Sequence, residues 1–479
     1  MKRILRRQMR HILVYIWVLS GSVGLYAQYI SEVIEYVPAP GQLVNTAWGS
    51  PRSAASLVGG VDGTLTLGSF GGYVVFSLEE PVDNHPDNPY GVDFTIFGNP
   101  MTDWSEPGIV SVMKDVNGNG LPDDTWYELA GSDYFFSSTL KDYRVTYENP
   151  GGSQAADVPW HDQRDSSGVI PANGFHPQSY YPVHDSFPGI DSLRYTLHGT
   201  RIGAVVDTSV PATIRLPQRT FGYADNRHRG TAPHTLPDNP YTPEVEHAGG
   251  DAFDIHWAVD GSGTYVDLDT IHFIRIHSGC LGRAGWLGEI STEVTGACDV
   301  VPDAGVTGPL DRIVVRDLPP VIHIPAWQLE AFVFHMGRLQ PEQEITWSCS
   351  IPGATVSEDH VLSVPASGEL VITASLADHP EVSTSVVTTV ALATGSRFKD
   401  TRLQTAPHIY PNPASGKVII ESGGQGEYYL FNLTGKMVLS GILHETRQEI
   451  IIRGLPSGIY MLQTRNPTAG CDTQKLFIE

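Results

Sequence analysis

The chain has 479 residues, with 53 Asp or Glu against 30 Lys or Arg, so its formal net charge is −23. This acidic balance argues against nucleic acid and anionic membranes as partners. The 49 glycines and 35 prolines favour turn-rich β structure, and the length accommodates about three domains.

Residues 1–27 predict a secretory signal peptide. Several basic residues precede a short apolar run from Ile12 to Leu19, and small residues lead to Ala27, after which we expect cleavage. The apolar run is too short to span a bilayer, and no later stretch predicts a transmembrane segment. The protein is therefore expected to be exported.

An exported protein meets an oxidising environment, in which its cysteines can form disulfide bonds. Cys280 and Cys298 flank one strand-loop-strand stretch and are candidates for a disulfide bond. Cys349 and Cys471 belong to different predicted domains, so we expect both to be free thiols.

Residues 28–300 consist of short β runs separated by turn clusters. They predict an all-β fold, a jelly-roll-like antiparallel β-sandwich whose loops carry its function. The run from Phe253 to Asp260 alternates in hydropathy, which predicts one strand with its odd-numbered residues facing inward.

A hairpin with a long polar loop is predicted near the middle of this domain. Its strands are Ile109–Met113 and Trp126–Leu129, and ten residues from Asp115 to Asp124 join them. Alternating oxygen side chains and a glycine resemble the start of a calcium loop. The other interpretation is a bare turn made by Asn-Gly-Asn-Gly. The candidate calcium ligands are Asp115, Asn117, Asn119, Leu121, Asp123 and Asp124.

Aromatic residues in predicted loops either stack as exposed rings on a sugar or another flat ligand, or fill the core between sheets. Glu106 lies beside one of them, directly before a strand that the pattern predicts to be buried. It is either a functional acid or a residue that caps the strand. The candidate ligand-binding residues are Trp104, Glu106, Trp160, Tyr180 and Tyr181.

Several segments of the large domain, among them DFTIFGN and GWLGEISTEVTGA, resemble a family of Bacteroidetes cell-surface proteins. That resemblance implies a surface location and assigns no biochemistry. The strand pattern is also similar to that of discoidin-like, galactose-binding jelly rolls. Because one fold serves many functions, the second similarity concerns architecture only.

Residues 301–394 form the second predicted domain. The segment from Glu344 to Ala374 resembles bacterial immunoglobulin-like modules, in its tryptophan strand, Val-Leu strand and Gly-containing turn into Ile-Thr-Ala. The resemblance implies an immunoglobulin-like β-sandwich that acts as a spacer or adhesion module. A polar linker, residues 395–406, follows.

Residues 407–479 form the last predicted domain. The segments YPNPASGK, GLPSGIY and QKLFIE resemble the C-terminal sorting domain of type IX secretion cargo in Bacteroidetes. The resemblance implies a small β-sandwich, recognition by the type IX machinery, and release outside the cell or attachment to surface lipopolysaccharide.

The sequence leaves three functions open. The leading one is a secreted, surface-displayed, non-catalytic binding protein for a glycan. The second is an exported hydrolase acting on glycans, since paired acids need only meet in space. The third is capture of a nutrient such as a corrinoid for an outer-membrane transporter.

Overall fold

The structure is a computed structural model. It describes residues 28–183, 185–207, 213–230, 236–247, 250–392, 408–421, 426–432, 437–443, 447–466 and 470–478. The predicted signal peptide and the predicted linker lie outside the described residues. Two compact units are formed, the first ending at Leu392 and the second beginning at Ala393.

Up to residue 300 the first unit, here called the large sandwich, is built from short strands. It has a single-turn helix α1 (Pro51–Ala55) and the 3-10 helices Pro89–Gly91, Ile255–Trp257 and Gly285–Leu287. The strands are β1 (Ile30–Val37), β2 (Leu65–Thr66), β3 (Tyr73–Leu78), β4 (Val82–Asp83), β5 (Phe94–Phe97), β6 (Gly108–Met113), β7 (Trp126–Leu129), β8 (Leu140–Glu148), β9 (Val158–Asp162), β10 (Ser167–Ile170), β11 (Arg194–Arg201), β12 (Asp251–Phe253), β13 (Ala258–Val259), β14 (Thr270–Ile271), β15 (Phe273–Ser278), β16 (Glu293–Val294) and β17 (Gly296–Asp299).

Two sheets organise the large sandwich. One has the strand order β1-β3-β15-β6-β7-β13 and the other β10-β9-β8-β11. On β3 and β15 alternate residues face opposite sides, so Val74 and Ile276 enter the main core while Tyr73 and Arg275 face away from it. The all-β prediction is confirmed, and so is the hairpin, in which Val112 on β6 pairs with Tyr127 on β7.

Two sequence predictions in this region are wrong. The run from Phe253 to Asp260 is not one strand, because Asp254 accepts a hydrogen bond of 2.7 Å from the N–H of His256 and starts a 3-10 turn between β12 and β13. Asp254 and Ala258, predicted outward, are fully buried. Cys280 and Cys298 form no disulfide; they are buried free thiols that pack in different hydrophobic clusters.

Residues 301–392, here called the middle module, contain further short strands. They are β18 (Asp311–Val315), β19 (Val321–Ile322), β20 (Ala326–Gln328), β21 (Ala331–His335), β22 (Arg338–Leu339), β23 (Ile345–Cys349), β24 (Thr355–Val356), β25 (Val361–Ser363), β26 (Gly368–Leu376) and β27 (Ser383–Val390). A sheet of order β19-β27-β26-β23 packs against two three-stranded sheets, β18-β21-β22 and β20-β25-β24.

Strands β18 and β21 are shared between the middle module and the large sandwich. Ile313 and Val333 face the core of the middle module, whereas their neighbours Val314 and Phe334 join the main core of the large sandwich. Arg219 reinforces this contact, because its Nη1 lies 2.9 Å from carboxylate oxygens of both Asp133 and Asp317.

The second unit is a small two-layer sandwich, as predicted. Its sheets have the orders β28-β29-β32 and β31-β30-β33-β34, and residues such as Val418, Leu430 and Leu462 fill the space between them. Its strands are β28 (His408–Tyr410), β29 (Lys417–Glu421), β30 (Gly426–Asn432), β31 (Met437–Leu443), β32 (Arg447–Ile451), β33 (Gly458–Asn466) and β34 (Gly470–Ile478).

Candidate functional site

A cavity of about 840 Å³ opens beside the largest sheet of the large sandwich. This volume falls in the range of roughly 300–1,000 Å³ that small-molecule sites occupy. Strand β1, helix α1, strand β11 and the loop Ser186–Ile190 surround it, and Tyr73 and Arg275 contribute from the sheet itself.

The cavity forms where two sheet edges meet. Strand β1 ends the order of the largest sheet and β11 ends that of the four-stranded sheet. The phenol of Tyr195 on β11 donates a hydrogen bond of 2.7 Å to the carbonyl oxygen of Pro38, just after β1. The rings of Tyr36 and Phe187 meet edge to face, with centroids 5.7 Å apart, and close the apolar side. The opening between the edges is therefore held by direct contacts.

Three polar side chains form a row across the cavity, here called the Arg275 row. The guanidinium carbon of Arg275 lies 4.4 Å from the ring centroid of Tyr73, in cation–π geometry. The phenol of Tyr73 donates a hydrogen bond of 2.7 Å to Oε1 of Glu35. The row therefore runs from a cation through an aromatic ring to a carboxylate.

Burial shifts the pKa values of Arg275 and Tyr73 in this row. It lowers the pKa of Arg275, although the nearby Tyr73 and Glu35 oppose the shift. Burial and the hydrogen bond to Glu35 raise the pKa of Tyr73. The pKa of His198, which also lines the cavity, is lowered by burial and by Arg275. Near neutral pH the cavity therefore contains the cation of Arg275, a neutral phenol and a neutral imidazole.

A second cluster lies elsewhere in the large sandwich and consists of three carboxylates. Oxygens of Glu106, Asp225 and Glu293 all lie within 4.8 Å of one another. Glu106 lies two residues before β6, Glu293 begins β16, and Asp225 adopts a left-handed conformation with φ of 56°. We call this the carboxylate cluster. It does not line the 840 Å³ cavity.

Main-chain donors position Asp225 in the cluster. Its Oδ1 accepts from the N–H of Asn99 at 3.0 Å, and its Oδ2 accepts from the N–H of Glu293 at 2.8 Å. Gly98 permits this approach, because a Cβ there would lie 2.3 Å from Oδ1 of Asp225. The two backbone donors partly compensate for burying the carboxylate.

Side-chain donors and one further main-chain group position the two glutamates. Trp104 donates from its indole Nε1 to Oε2 of Glu106 at 3.0 Å, and the N–H of Ser291 donates to Oε1 at 3.0 Å. Oε1 of Glu293 accepts from the hydroxyls of Thr66 at 3.0 Å and of Ser291 at 2.8 Å. This arrangement suits either a shared proton or an oxygen-preferring divalent cation.

Burial and mutual repulsion hold protons on this cluster. Burial, followed by the charge of Glu293, raises the pKa values of Glu106 and Asp225 well above their usual range. Burial raises the pKa of Glu293 itself to about 7. A cation bound here would have to displace those protons.

The aromatic residues that the sequence singled out occupy different places from those expected. Tyr180 and Tyr181 are buried, so the expectation of exposed rings is wrong; they pack under the four-stranded sheet. Their hydroxyls form hydrogen bonds within the protein. The hydroxyl of Tyr180 accepts from the N–H of Asn173, and that of Tyr181 donates to the main-chain oxygen of Asp191. Trp160 is half-buried and packs against the same cluster. Trp104 and Glu106 do lie together, in the carboxylate cluster.

The candidate calcium loop is an exposed connection between β6 and β7. Both oxygens of Asp115 accept main-chain hydrogen bonds, from Gly118 at 2.7 Å and from Gly120 at 2.8 Å. These bonds lower the pKa of Asp115. The side-chain amides of Asn117 and Asn119 point to Asp123. Side-chain oxygen atoms of the loop therefore accept hydrogen bonds from within the loop. Both a turn and an ion-binding loop show this arrangement.

Sequence reasoning missed Glu35, Tyr73, Arg275, Asp225 and Glu293. One signal was available for Arg275: this charged residue interrupts the apolar residues Phe273, Ile274 and Ile276 of β15. A charge in a buried strand requires an explanation, because Arg is seldom buried without a partner. For Asp225 and Glu293 the sequence carries no comparable signal.

Comparison with known families identifies one part of the chain. Residues 408–479 match the model of the secretion system C-terminal sorting domain. The chain is therefore a cargo of type IX secretion, which is exported across the outer membrane to the cell surface or the extracellular space. No curated protein matches the sequence. Among the described residues, no helix is long and apolar enough to cross a membrane.

Three solved structures that match this chain do so at low sequence identity and low TM-score. The adhesin InvE of Yersinia pseudotuberculosis is 7% identical, with 35% of this chain and 58% of that chain covered and a TM-score of 0.14. Tandem Ig repeats of Dlar are 14% identical over 36% of this chain and 98% of that chain, with a TM-score of 0.15. Dimeric latent PorU from Porphyromonas gingivalis is 9% identical over 87% of this chain and 33% of that chain, with a TM-score of 0.13.

Proposed function

We propose that this exported protein is a non-catalytic binding protein that takes a glycan into the 840 Å³ cavity of the large sandwich. The observation that supports this most is the Arg275 row, which lies in a cavity of ligand size and offers both hydrogen-bond donors and acceptors. Sugars need such mixed polar groups beside an apolar wall. Tyr36 and Phe187 supply that wall.

A glycan array, followed by titration calorimetry of the purified protein, tests this proposal. Ala55 is exposed and lines the cavity, so Ala55→Trp fills the cavity without disturbing the core and should abolish binding. Arg52 lies on the same helix but does not line the cavity, so Arg52→Trp is the matched control and should bind normally. Equal binding by both variants would show that the cavity is not the site.

The two alternative functions are separate outcomes of the same experiment. Hydrolysis of a bound glycan would make the protein an exported hydrolase, and Glu106 and Glu293 would be the first acids to substitute. Binding of a corrinoid without any glycan would favour nutrient capture for an outer-membrane transporter.

We further propose that the loop from Asp115 to Asp124 holds calcium in the exported protein. The loop has three carboxylates, those of Asp115, Asp123 and Asp124, at one hairpin tip, and a divalent cation would offset their repulsion. The middle module would then act as an immunoglobulin-like spacer between the large sandwich and the sorting domain. The predicted signal peptide would be cleaved on export, and surface lipopolysaccharide is the proposed anchor. Lipopolysaccharide attachment would appear as a diffuse high-mass band on denaturing gels of outer-membrane fractions.

A further inference from the structure

We propose that the ligand of the cavity is an acidic sugar, one that carries a single carboxylate or phosphate among its hydroxyls, and that Arg275 binds the anionic group. This inference rests on the proposed binding function of the cavity and adds the chemical class of the ligand.

The first observation is that Arg275 forms no salt bridge with any described residue. Its side chain makes no hydrogen bond to the described residues, and its Nε is buried without an acceptor. An unsatisfied buried donor on a charged group costs more than a neutral one. A guanidinium presents its N–H groups as a planar fork, and that fork matches a carboxylate or a phosphate.

The second observation is that the protein holds this guanidinium in place. Arg275 lies on β15, between β3 and β6 in the sheet, so its backbone is fixed on both sides. The ring of Tyr73 supports one face of the guanidinium. The nearest acid of the row, Glu35, accepts the phenol of Tyr73. The fork is therefore pre-positioned and is not neutralised by an internal salt bridge.

The third observation limits the ligand to one negative charge. The charged side chains around the cavity are Glu32 and Glu35 on β1 and Arg275 on β15, and burial favours the neutral form of His198. Two carboxylates against one guanidinium would repel a polyanion such as a sulfated chain. The same carboxylates accept hydrogen bonds from hydroxyls, which a sugar offers in number. One acidic group with several hydroxyls matches this distribution.

The experiment compares galacturonate, a sugar with one carboxylate, with its neutral counterpart galactose and with the methyl phosphodiester of galactose, whose phosphate carries one negative charge. Wild-type protein should bind the acidic ligands at least about tenfold more tightly than the neutral one, which corresponds to about 1.4 kcal/mol. A preference for galacturonate over the phosphodiester identifies the carboxylate as the ligand group, and the reverse preference identifies the phosphate.

Arg275→Gln should remove this preference and leave the weak binding of the neutral sugar unchanged. Arg144, an exposed arginine on β8 that pairs with Asp142 outside the cavity, provides the matched control, and Arg144→Gln should behave as wild type. Binding of neutral sugars that equals binding of acidic sugars would refute the inference while leaving the proposed function intact. An absence of any glycan binding would refute the proposed function itself.

A second measurement covers the case in which Arg275→Gln fails to fold. For wild-type protein, the affinity for galacturonate should fall as ionic strength rises, whereas the affinity for galactose should stay constant. Identical salt dependence of the two ligands would overturn the role of Arg275.

Discussion

The indole Nε1 of Trp257 donates a hydrogen bond of 2.8 Å to the main-chain oxygen of Met336. Trp257 belongs to the large sandwich and is fully buried, whereas Met336 lies in the turn between β21 and β22 of the middle module. The first unit therefore continues through residue 300, where the sequence predicts a domain boundary, and both predicted domains share one core.

Gly337→Ala should destabilise the first unit. The residue has φ of 70°, and a Cβ there would lie 2.2 Å from Nε1 of Trp257. Left-handed strain costs roughly 1–2 kcal/mol, and the clash adds roughly 1–3 kcal/mol. Gly151→Ala is the matched control, because Gly151 has φ of 79° but no atom within 4 Å of its Cβ position. Chemical denaturation measures both variants, and equal losses would mean that the contact with Trp257 contributes nothing.

A fragment of residues 28–300 should be less stable than a fragment of residues 28–392. The sequence predicts that the shorter fragment folds alone. Because the two predicted domains share a core, we expect the shorter fragment to fold with a lower free energy of unfolding. Losing the burial of Val314 and Phe334 removes roughly 3–6 kcal/mol. Differential scanning calorimetry should show one transition for the longer fragment and a lower melting temperature for the shorter one. Coincident melting curves would restore an independent boundary at residue 300.

The carboxylate cluster should make stability fall as pH rises. Burial raises the pKa of Glu293 to about 7 in the folded state, from an ordinary value of 4.5. The contribution of protonated Glu293 to the free energy of unfolding is therefore fully present below its unfolded-state pKa. It is lost as pH rises through its folded-state pKa. Each such proton changes the free energy of unfolding by about 1.4 kcal/mol per pH unit within that window.

Urea denaturation in chelator between about pH 5 and about pH 8 measures this dependence. Glu293→Gln removes one titrating group and should reduce the slope. Glu358→Gln, in the middle module and away from the cluster, should keep the wild-type slope. A slope for Glu293→Gln that equals the wild-type slope would contradict the raised pKa of Glu293.

Chelation should lower the melting temperature if the loop at Asp115 binds calcium. Binding to the folded state alone stabilises it by about 2.7 kcal/mol at a hundredfold excess over Kd. Asp115→Ala should abolish the sensitivity to chelator, whereas Asp62→Ala, an exposed acid elsewhere, should retain it. Superimposable wild-type melting curves with and without chelator would identify the loop as a turn only.

Deletion of residues 408–479 should leave the protein in the periplasm, because those residues form the sorting domain. Fractionation and protease accessibility on intact cells measure the location. As a control, the same residues fused to a periplasmic reporter should carry it out of the cell. A truncated protein that still reaches the surface would mean that a second export signal exists.

The sequence by itself determined the parts that depend on neighbouring residues. Runs of β-forming residues and turn chemistry predicted the hairpin of β6 and β7, and its second strand was predicted with the observed bounds, Trp126–Leu129. The sorting domain was recognisable because its motifs are contiguous. Hydropathy also predicted that the odd-numbered residues from Phe253 to Val259 are buried, but not that the segment turns at Asp254.

Only the tertiary structure decided which distant residues meet. The three acids of the carboxylate cluster, Glu106, Asp225 and Glu293, are far apart along the chain. The cavity likewise brings together β1, β11 and β15, which are separated by long stretches of sequence. Hydropathy reports that a side chain is buried, but strand pairing chooses its neighbours, and those pairings are set by the packing of the whole core. For the same reason Tyr180 and Tyr181, which sit in a loop-rich stretch of sequence, became part of that core.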